Sequence, residues 1–350
     1  MRFYKHLLRP LLFRIPPEAA HRLSHAALRT PLFWEACRPF LAYQSSRLQL
    51  KMGNLTLPNP VGLAAGWDKD CTSMKALSNL GFGYIVGGTV TPEPRPGNHK
   101  PRLIREPKQQ ATINSLGFPN SGANNIVQKL ERIKRRNGEA PLLVSIAADD
   151  VPGFCHCLEI LQPLVDGVEI NISSPNTPGL RTFHDPRIFD ALLNELCIRR
   201  VKPLFVKLPP YMSEKERQTI LQLVNICLSH NIQGVTISNT HPVRDTRLAV
   251  GTGGLSGKPL LEHTLRTVQN VRSLAGSKLV INASGGIFDG IDTLAAIQSG
   301  ADTVQIMTAL WYHGPSTVGN INRYLDNYLI QNNLSSIHDL RQTETPHPPP

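Results

Sequence analysis

No run in this 350-residue chain is apolar for long enough to cross a membrane as a helix. Cysteine is scarce: six residues, Cys37, Cys71, Cys155, Cys157, Cys197 and Cys227. Only Cys155 and Cys157 lie close together, around His156. No CxxC pairs with a second CxxC or an HxxxH, which argues against a zinc site. Most of the cysteines fall in apolar stretches and read as buried free thiols, as suits a reducing compartment. No strand-linked G-x-G-x-x-G is present, so a dinucleotide fold is not indicated. Acidic residues are outnumbered, 26 against 37 Lys and Arg, leaving a net charge of +11. That balance favours nucleic acid, anionic lipid or an acidic substrate. Nothing resembles a nucleic-acid motif, and nucleic acid is discounted. The basic cluster Lys129, Arg132, Lys134, Arg135 and Arg136 reads as the solvated face of a helix whose apolar side carries Ile126, Leu130 and Ile133.

What is present describes a globular body: 41% hydrophobic and 18% charged residues. Residues 1–14 interleave leucine and phenylalanine with Arg2, Lys5, Arg9 and Arg14. Arg9 and Pro10 interrupt any signal-peptide core. The segment reads either as a basic apolar strip lying in a membrane surface or as an N-terminus packed on its own domain. A helix is expected from Pro16-Pro17-Glu18, with proline in the first turn and Glu18 complementing the dipole. Leu23, Ala26, Ala27, Phe33, Trp34, Phe40 and Leu41 recur at helical spacing, and Pro31 and Pro39 are expected to break the stretch.

From about residue 46 the pattern changes. Apolar runs at Val61–Ala65, Tyr84–Val90, Leu142–Ala147, Val168–Ile172, Leu204–Leu208, Val235–Ser238, Leu279–Ala283 and Thr303–Met307 alternate with helical segments. Eight such units predict an α/β fold, a (β/α)8 TIM barrel with a short N-terminal helical extension. A doubly wound open sheet is the competing architecture. Residues 1–45 are expected to form the extension, 46–340 the barrel and 341–350 a proline-rich disordered tail. The long interval Thr91–Ala140 holds an insertion, with Lys100–Arg105 and Ala111–Phe118 as an extra strand pair.

The most specific stretch follows the fourth run: Asn171-Ile-Ser-Ser-Pro-Asn-Thr-Pro-Gly-Leu-Arg181. Asn171, Ser173, Ser174 and Asn176 bring amides and hydroxyls together, and Pro175, Pro178 and Gly179 end the strand. Taken as a short motif, it could equally be a turn satisfying its own backbone. Other strand ends are also polar: Ala64-Ala-Gly-Trp-Asp-Lys69, Gly87-Gly-Thr-Val-Thr91, Lys207, Asn239-Thr240, Ser284-Gly-Gly286 and Met307-Thr308. Barrel chemistry gathers at these ends. Gly285-Gly286, ahead of Asp289 and a helix, suits a phosphate. Gly253-Gly-Leu-Ser-Gly257 reads as a second glycine-rich loop. One phosphate and a flat ring fit this set better than a dinucleotide.

The string Asn171–Arg181 resembles the active-site loop of the dihydroorotate dehydrogenases, the flavin enzymes of pyrimidine synthesis. Ser174, where another class has cysteine, points to the membrane-associated, quinone-using class 2 enzymes. Pro17-Glu-Ala-Ala-His-Arg22 is similar to that class's N-terminal extension, where paired helices form the mouth of a quinone tunnel and His21 would line it. The resemblance covers roughly residues 10 to 330. It implies bound FMN near Ala65, Gly66, Thr89, Ser145, Asn171, Lys207, Ser238, Gly257, Gly286, Met307 and Thr308. It implies dihydroorotate or orotate held by Lys69, Asn114 with Ser115, Leu116, Gly117 and Phe118, and by Asn171, Asn176, Asn239 and Thr240. Ser174 would be the catalytic base. The resemblance also implies a membrane quinone as electron acceptor, no metal, and peripheral attachment at the cytoplasmic side of the cell membrane.

The chain departs from the family pattern twice. After the third strand the family has Asn-x-Gly-Lys-Asn, and this chain has Ser145-Ile-Ala-Ala-Asp149. Met307 stands where tyrosine is usual. A degenerate flavin-binding barrel without turnover is the alternative, and the retained Lys69, Asn114, Ser174 and Asn176 argue against it. A soluble class using fumarate or nicotinamide is disfavoured by Ser174 and the extension.

Overall fold

The computed structural model describes residues 4–133, 139–173 and 178–341. Arg2, Lys134, Arg135, Arg136, Ser174, Pro175, Asn176 and residues 342–350, all given roles or conformations from sequence, lie outside the described residues. The extension opens with a turn at Tyr4–Leu8 and continues as α1 (Arg9–Phe13), α2 (Pro17–Leu28) and α3 (Pro31–Leu41). Proline starts both α2 and α3, where its missing N–H costs nothing. Pro39 does not break the stretch as expected; it lies inside α3. The helix ends two residues later, at Leu41, so the lost donor and the ring clash affect only its final turn. The apolar spacing divides between two faces. Ala20 and Leu28 are buried, whereas Leu23, Leu32, Phe33 and Phe40 face outward, Phe40 with 85% of its surface exposed. No described helix is long and apolar enough to cross a membrane.

After α3 the chain makes a hairpin, β1 (Leu50–Met52) with β2 (Leu55–Leu57), then enters the barrel as β3 (Val61–Leu63) and β4 (Tyr84–Val90). The insertion contributes β5 (Leu103–Glu106) and β6 (Ala111–Asn114). β7 (Leu142–Ile146), β8 (Gly167–Asn171), β9 (Leu204–Lys207) and β10 (Gly234–Ile237) follow. β11 (His241–Arg244) and β12 (Thr252–Gly257) leave the barrel, and β13 (Val280–Ser284) and β14 (Thr303–Ile306) complete it. The closed order is β3-β4-β7-β8-β9-β10-β13-β14. Pairing of β14 back onto β3, with Val304 opposite Val61, excludes the open sheet. Each apolar run of the sequence coincides with a strand to within a residue or two. The strands are buried along their length, as parallel strands covered on both faces must be.

A four-stranded antiparallel sheet, β11-β12-β6-β5, lies outside the barrel. The β5–β6 pair matches expectation, with Leu103 opposite Asn114. The expected loop Gly253–Gly257 is instead part of strand β12. Two of its glycines, Gly253 and Gly257, are required by close approach. A Cβ on Gly253 would lie 2.8 Å from the Asn114 carbonyl oxygen, and one on Gly257 2.3 Å from that of Gln110. The basic helix Ala123–Glu131 buries Ile126 and Leu130 as its pattern implied. Lys129 on it is not simply solvated: its ammonium reaches the Ser121 hydroxyl at 2.7 Å and Asp70 at 3.4 Å. At the other end of the chain, Arg341 closes a short turn and pairs with Asp302 at 2.6 Å.

The barrel interior carries a polar layer. Tyr84 bonds Thr303 at 2.8 Å, Thr303 donates to Asn282 at 2.6 Å, and Thr236 donates to Glu169 at 2.8 Å. Above this layer, at the C-terminal ends of the strands, the barrel opens into a cavity.

Candidate active site

The cavity measures about 570 Å³, within the range of small-molecule sites. Ala65, Gly66, Lys69, Thr89, Asn114, Leu116, Gly117, Phe118, Asn171, Lys207, Ser238, Asn239, Thr240, Gly257, Gly286, Met307 and Thr308 line it together. Most come from barrel strand ends far apart in sequence, which closure brings to one face, whereas Asn114, Leu116, Gly117 and Phe118 come from the insertion and Gly257 from β12. Two residues picked from sequence stand behind the wall. Ser145 is fully buried, its hydroxyl 3.1 Å from that of Thr89, which takes the cavity-facing place. Ser115 is also fully buried, and its hydroxyl has no partner. It follows the cavity-lining Asn114, and neighbouring side chains in an extended chain point opposite ways.

A chain of hydrogen bonds orients the asparagines. Asn171 donates its amide to Thr89 at 3.0 Å, and its carbonyl accepts from the Ser173 N–H at 3.1 Å and hydroxyl at 2.8 Å. Asn239 donates to the Ser173 hydroxyl at 2.9 Å, and its carbonyl accepts from the Thr240 N–H at 2.8 Å. The Asn171 amide oxygen thus accepts twice and the Asn239 oxygen once, and each amide nitrogen keeps one hydrogen not used in these bonds. Register places Asn171 beside Lys207 and Lys207 beside Thr236, so both functional groups sit at one height. The site presents donors and suits a ligand rich in carbonyl and carboxylate oxygens.

Lys69 is one of several charged residues at the cavity, with Lys207, Asp68 and Arg102. Its ammonium donates to the Gly66 carbonyl at 2.6 Å. Burial disfavours its charged form, and although Asp68 works the other way, its pKa comes down to about 8. Such a lysine gains from an arriving carboxylate.

At the phosphate-sized end, Gly285 and Gly286 have φ of +127° and +79°, conformations that favour glycine. A Cβ on Gly286 would lie 2.2 Å from the Leu261 nitrogen. The helix Gly290–Gln298 does not supply free amides as expected, because Asp289 caps Ile291 at 3.0 Å and Asp292 at 3.1 Å. The loop backbone itself lines the cavity. After the neighbouring strand β14, the helix Thr308–His313 starts with no side-chain cap at Met307.

The mouth is aromatic and includes residues not picked from sequence. His21 lines it as expected, stacked on Trp311 with ring centroids 5.6 Å apart. Trp67 stands edge-on to both His21 and Trp311. Burial, reinforced by the nearby positive charge of Lys69, holds the His21 pKa well below the usual imidazole range. Arg102 of the insertion bonds Glu18 of α2 at 2.6 Å, with Lys100 at 3.2 Å. Burial pushes the Glu18 pKa up, but these cations outweigh it and leave the carboxyl below its usual value. Helical spacing could have found His25 as well, since it lies one turn beyond His21 on the same face.

Comparison with known proteins agrees with this geometry. The family profile of dihydroorotate dehydrogenase matches residues 47–329. A dihydroorotate dehydrogenase (quinone) of Coxiella burnetii is 40% identical over 343 residues, covering 91% of this chain and 95% of that protein. One from Deinococcus deserti is 35% identical over 358 residues, covering 96% and 98%. Among solved structures, the Eimeria tenella enzyme in complex with ferulenol superposes with a TM-score of 0.81 at 28% identity, covering 93% of this chain and 94% of that one. Its ligand-free form gives 0.79 at 28% identity, covering 93% and 98%. On the family match, the extent of these identities and the closed barrel, the chain belongs to the dihydroorotate dehydrogenase family, within its quinone-dependent class.

Proposed function

We propose that this chain oxidises dihydroorotate to orotate with bound FMN and passes the electrons to a membrane quinone. The observation that carries the reading is the donor set around Lys69: a half-buried ammonium, with Asn171 and Asn239 lining the same cavity and each keeping one amide hydrogen not used within the protein. A ring acid with one carboxylate and two ring carbonyls matches those donors. Lys69 holds the carboxylate, and Asn114, Asn171, Asn239 and Thr240 hold the ring edge.

FMN fits the rest of the cavity. Its phosphate suits the backbone at Gly285–Gly286 and the uncapped start of the helix at Thr308. Ala65, Gly66, Thr89, Ser238 and Gly257 would line its ring and ribityl chain, and Met307 lies 3.5 Å from where a Cβ on Gly66 would stand. Lys207, buried at the end of β9, offers positive charge to a reduced ring. Bound flavin supplies a two-electron acceptor for the substrate hydride and a donor to the quinone. Ser145 stands behind Thr89, bonded to it at 3.1 Å, and Thr89 faces the cavity. From the family resemblance, Ser174 takes the ring proton and Asn176 adds a further amide.

The extension, residues 1–45, forms the quinone entrance and the membrane-facing surface, with residues 46–340 as the catalytic barrel. Its exposed Leu7, Leu11, Leu32, Phe33 and Phe40, beside Lys5, Arg9 and Arg14, support a peripheral position on a membrane, and the family resemblance implies the cytoplasmic side of the cell membrane. The direct test is the spectrum of the purified protein. It should be yellow, bleach on anaerobic addition of dihydroorotate, and recover its colour with a long-tailed quinone. A yellow protein that dihydroorotate does not bleach would refute the reading and favour the non-catalytic barrel.

A further inference from the structure

His25 has no role in the reaction as described so far, yet it is bonded to the segment that carries Lys69. It lies on the inward face of α2, one turn beyond His21. Its Nε2 is 2.7 Å from the Trp67 carbonyl oxygen. A carbonyl only accepts, so Nε2 is the donor in this contact. The Ser73 hydroxyl stands 3.4 Å from Nδ1 of the same ring. One imidazole thus reaches both ends of the turn 67–73.

The turn is closed from within by Asp68, which is fully buried. Its carboxylate accepts from the Thr72 N–H at 3.0 Å and the Ser73 N–H at 2.6 Å. On the barrel side, the Gly88 N–H donates to the Asp68 carbonyl at 2.9 Å, and the Gly66 N–H to the Gly88 carbonyl at 2.7 Å. Lys69 rides on this turn, its ammonium folded back on the Gly66 carbonyl. The backbone that presents the lysine therefore has three attachments: one to β4, one to the extension, and one to the insertion through Asp70, which accepts from the Ser121 N–H at 2.8 Å and meets Lys129 at 3.4 Å. α2 is itself anchored by Glu18 on Arg102 and Lys100, so it can serve as a fixed post.

We propose that His25 is a positioning residue for substrate binding: through Trp67 and Ser73 it holds the turn that presents Lys69. The extension then takes part in the dihydroorotate half of the reaction as well as shaping the mouth. This rests on the reading above that Lys69 meets the substrate carboxylate.

The test uses full-length holoenzyme carrying His25→Ala, His25→Gln or Ser73→Ala, with two readouts. Hydrogen exchange of the amides in residues 67–73 reports the tie without any substrate. Anaerobic flavin reduction across dihydroorotate concentrations reports its consequence. His25→Ala should speed exchange in that segment. It should raise the half-saturating dihydroorotate concentration about 3- to 10-fold, as loss of one partly buried hydrogen bond implies, with the limiting rate nearly kept. His25→Gln, whose amide can still donate to the Trp67 carbonyl, should return both readouts toward wild type. Ser73→Ala leaves the aromatic mouth untouched and should move both the same way by less. It carries the comparison if His25→Ala does not fold.

Unchanged exchange in residues 67–73 overturns the tie, whatever the enzyme turns over. Faster exchange with an unchanged half-saturation overturns its role in substrate binding. A glutamine variant as impaired as the alanine overturns the hydrogen bond as the cause. If dihydroorotate does not bleach the wild type, the functional reading fails on its own, and the exchange experiment still decides the tie.

Discussion

The pKa of Lys69 makes substrate affinity a measurable function of pH. Burial lowers this pKa to about 8, against an ordinary lysine value of 10.5. The folded-state value is depressed, so the ammonium is present below about 8 and lost as pH rises through it. If the charged form holds the substrate carboxylate, orotate affinity should be flat up to about pH 7.5. It should then weaken toward about tenfold per pH unit, leaving roughly a tenth of its low-pH value near pH 9. An unshifted lysine would still be almost wholly charged at that pH. The assay is titration of the oxidised holoenzyme with orotate, followed by the change in flavin absorbance at each pH. Lys69→Arg supplies the control, because arginine stays charged throughout. Its affinity should be lower and nearly independent of pH over this interval. A wild-type curve flat to pH 9, or an arginine variant with the same fall, would refute the assignment. The same shift has a stability sign. Holding a charged lysine in the cavity costs the folded state below about pH 8, and the cost is relieved as pH rises toward the ordinary lysine value. Lys69→Met should therefore melt at a higher temperature than wild type at pH 7 while losing most orotate binding.

Ser174→Ala should retain flavin but lose about 10²- to 10⁴-fold in substrate-driven flavin reduction, measured by stopped flow, and near-normal reduction would remove Ser174 from the mechanism. Deleting residues 1–45 should leave a folded protein that dihydroorotate still bleaches at saturating concentration, while reoxidation by a long-tailed quinone falls sharply and a small soluble acceptor still works. Simultaneous loss of both half-reactions would show that the helices merely cap the core. Binding of the intact protein to anionic vesicles, followed by co-sedimentation, should decrease with salt, because Lys5, Arg9 and Arg14 supply part of the attraction. Phe40→Asp should weaken that binding with little change in melting temperature, since Phe40 is 85% exposed.

Chain order and local chemistry were enough to place the barrel. Each strand is a short apolar run between polar ends, and burial on both faces demands that pattern wherever the strand sits. The same logic put Lys69, Asn171, Lys207 and Asn239 at strand ends, where barrel closure must gather them. Other features depended on atoms distant in sequence. Gly253–Gly257 reads as a loop by composition, and only its contact with the backbone of β6 shows why a strand there needs glycine. Gly285–Gly286 and Asp289 together read as one phosphate cradle, yet Asp289 is spent capping its own helix and the loop backbone alone faces the cavity. Ser145 sits at a position where a ligand contact was expected, and a hydroxyl that short reaches only Thr89. The directions in which Asn171 and Asn239 offer hydrogen, and the tie from His25 to the Lys69 turn, are properties of closed hydrogen-bond chains. Which donor meets which acceptor is settled only when segments from separate strands and the extension come within about 3 Å of one another, and residue type by itself carries no such distance.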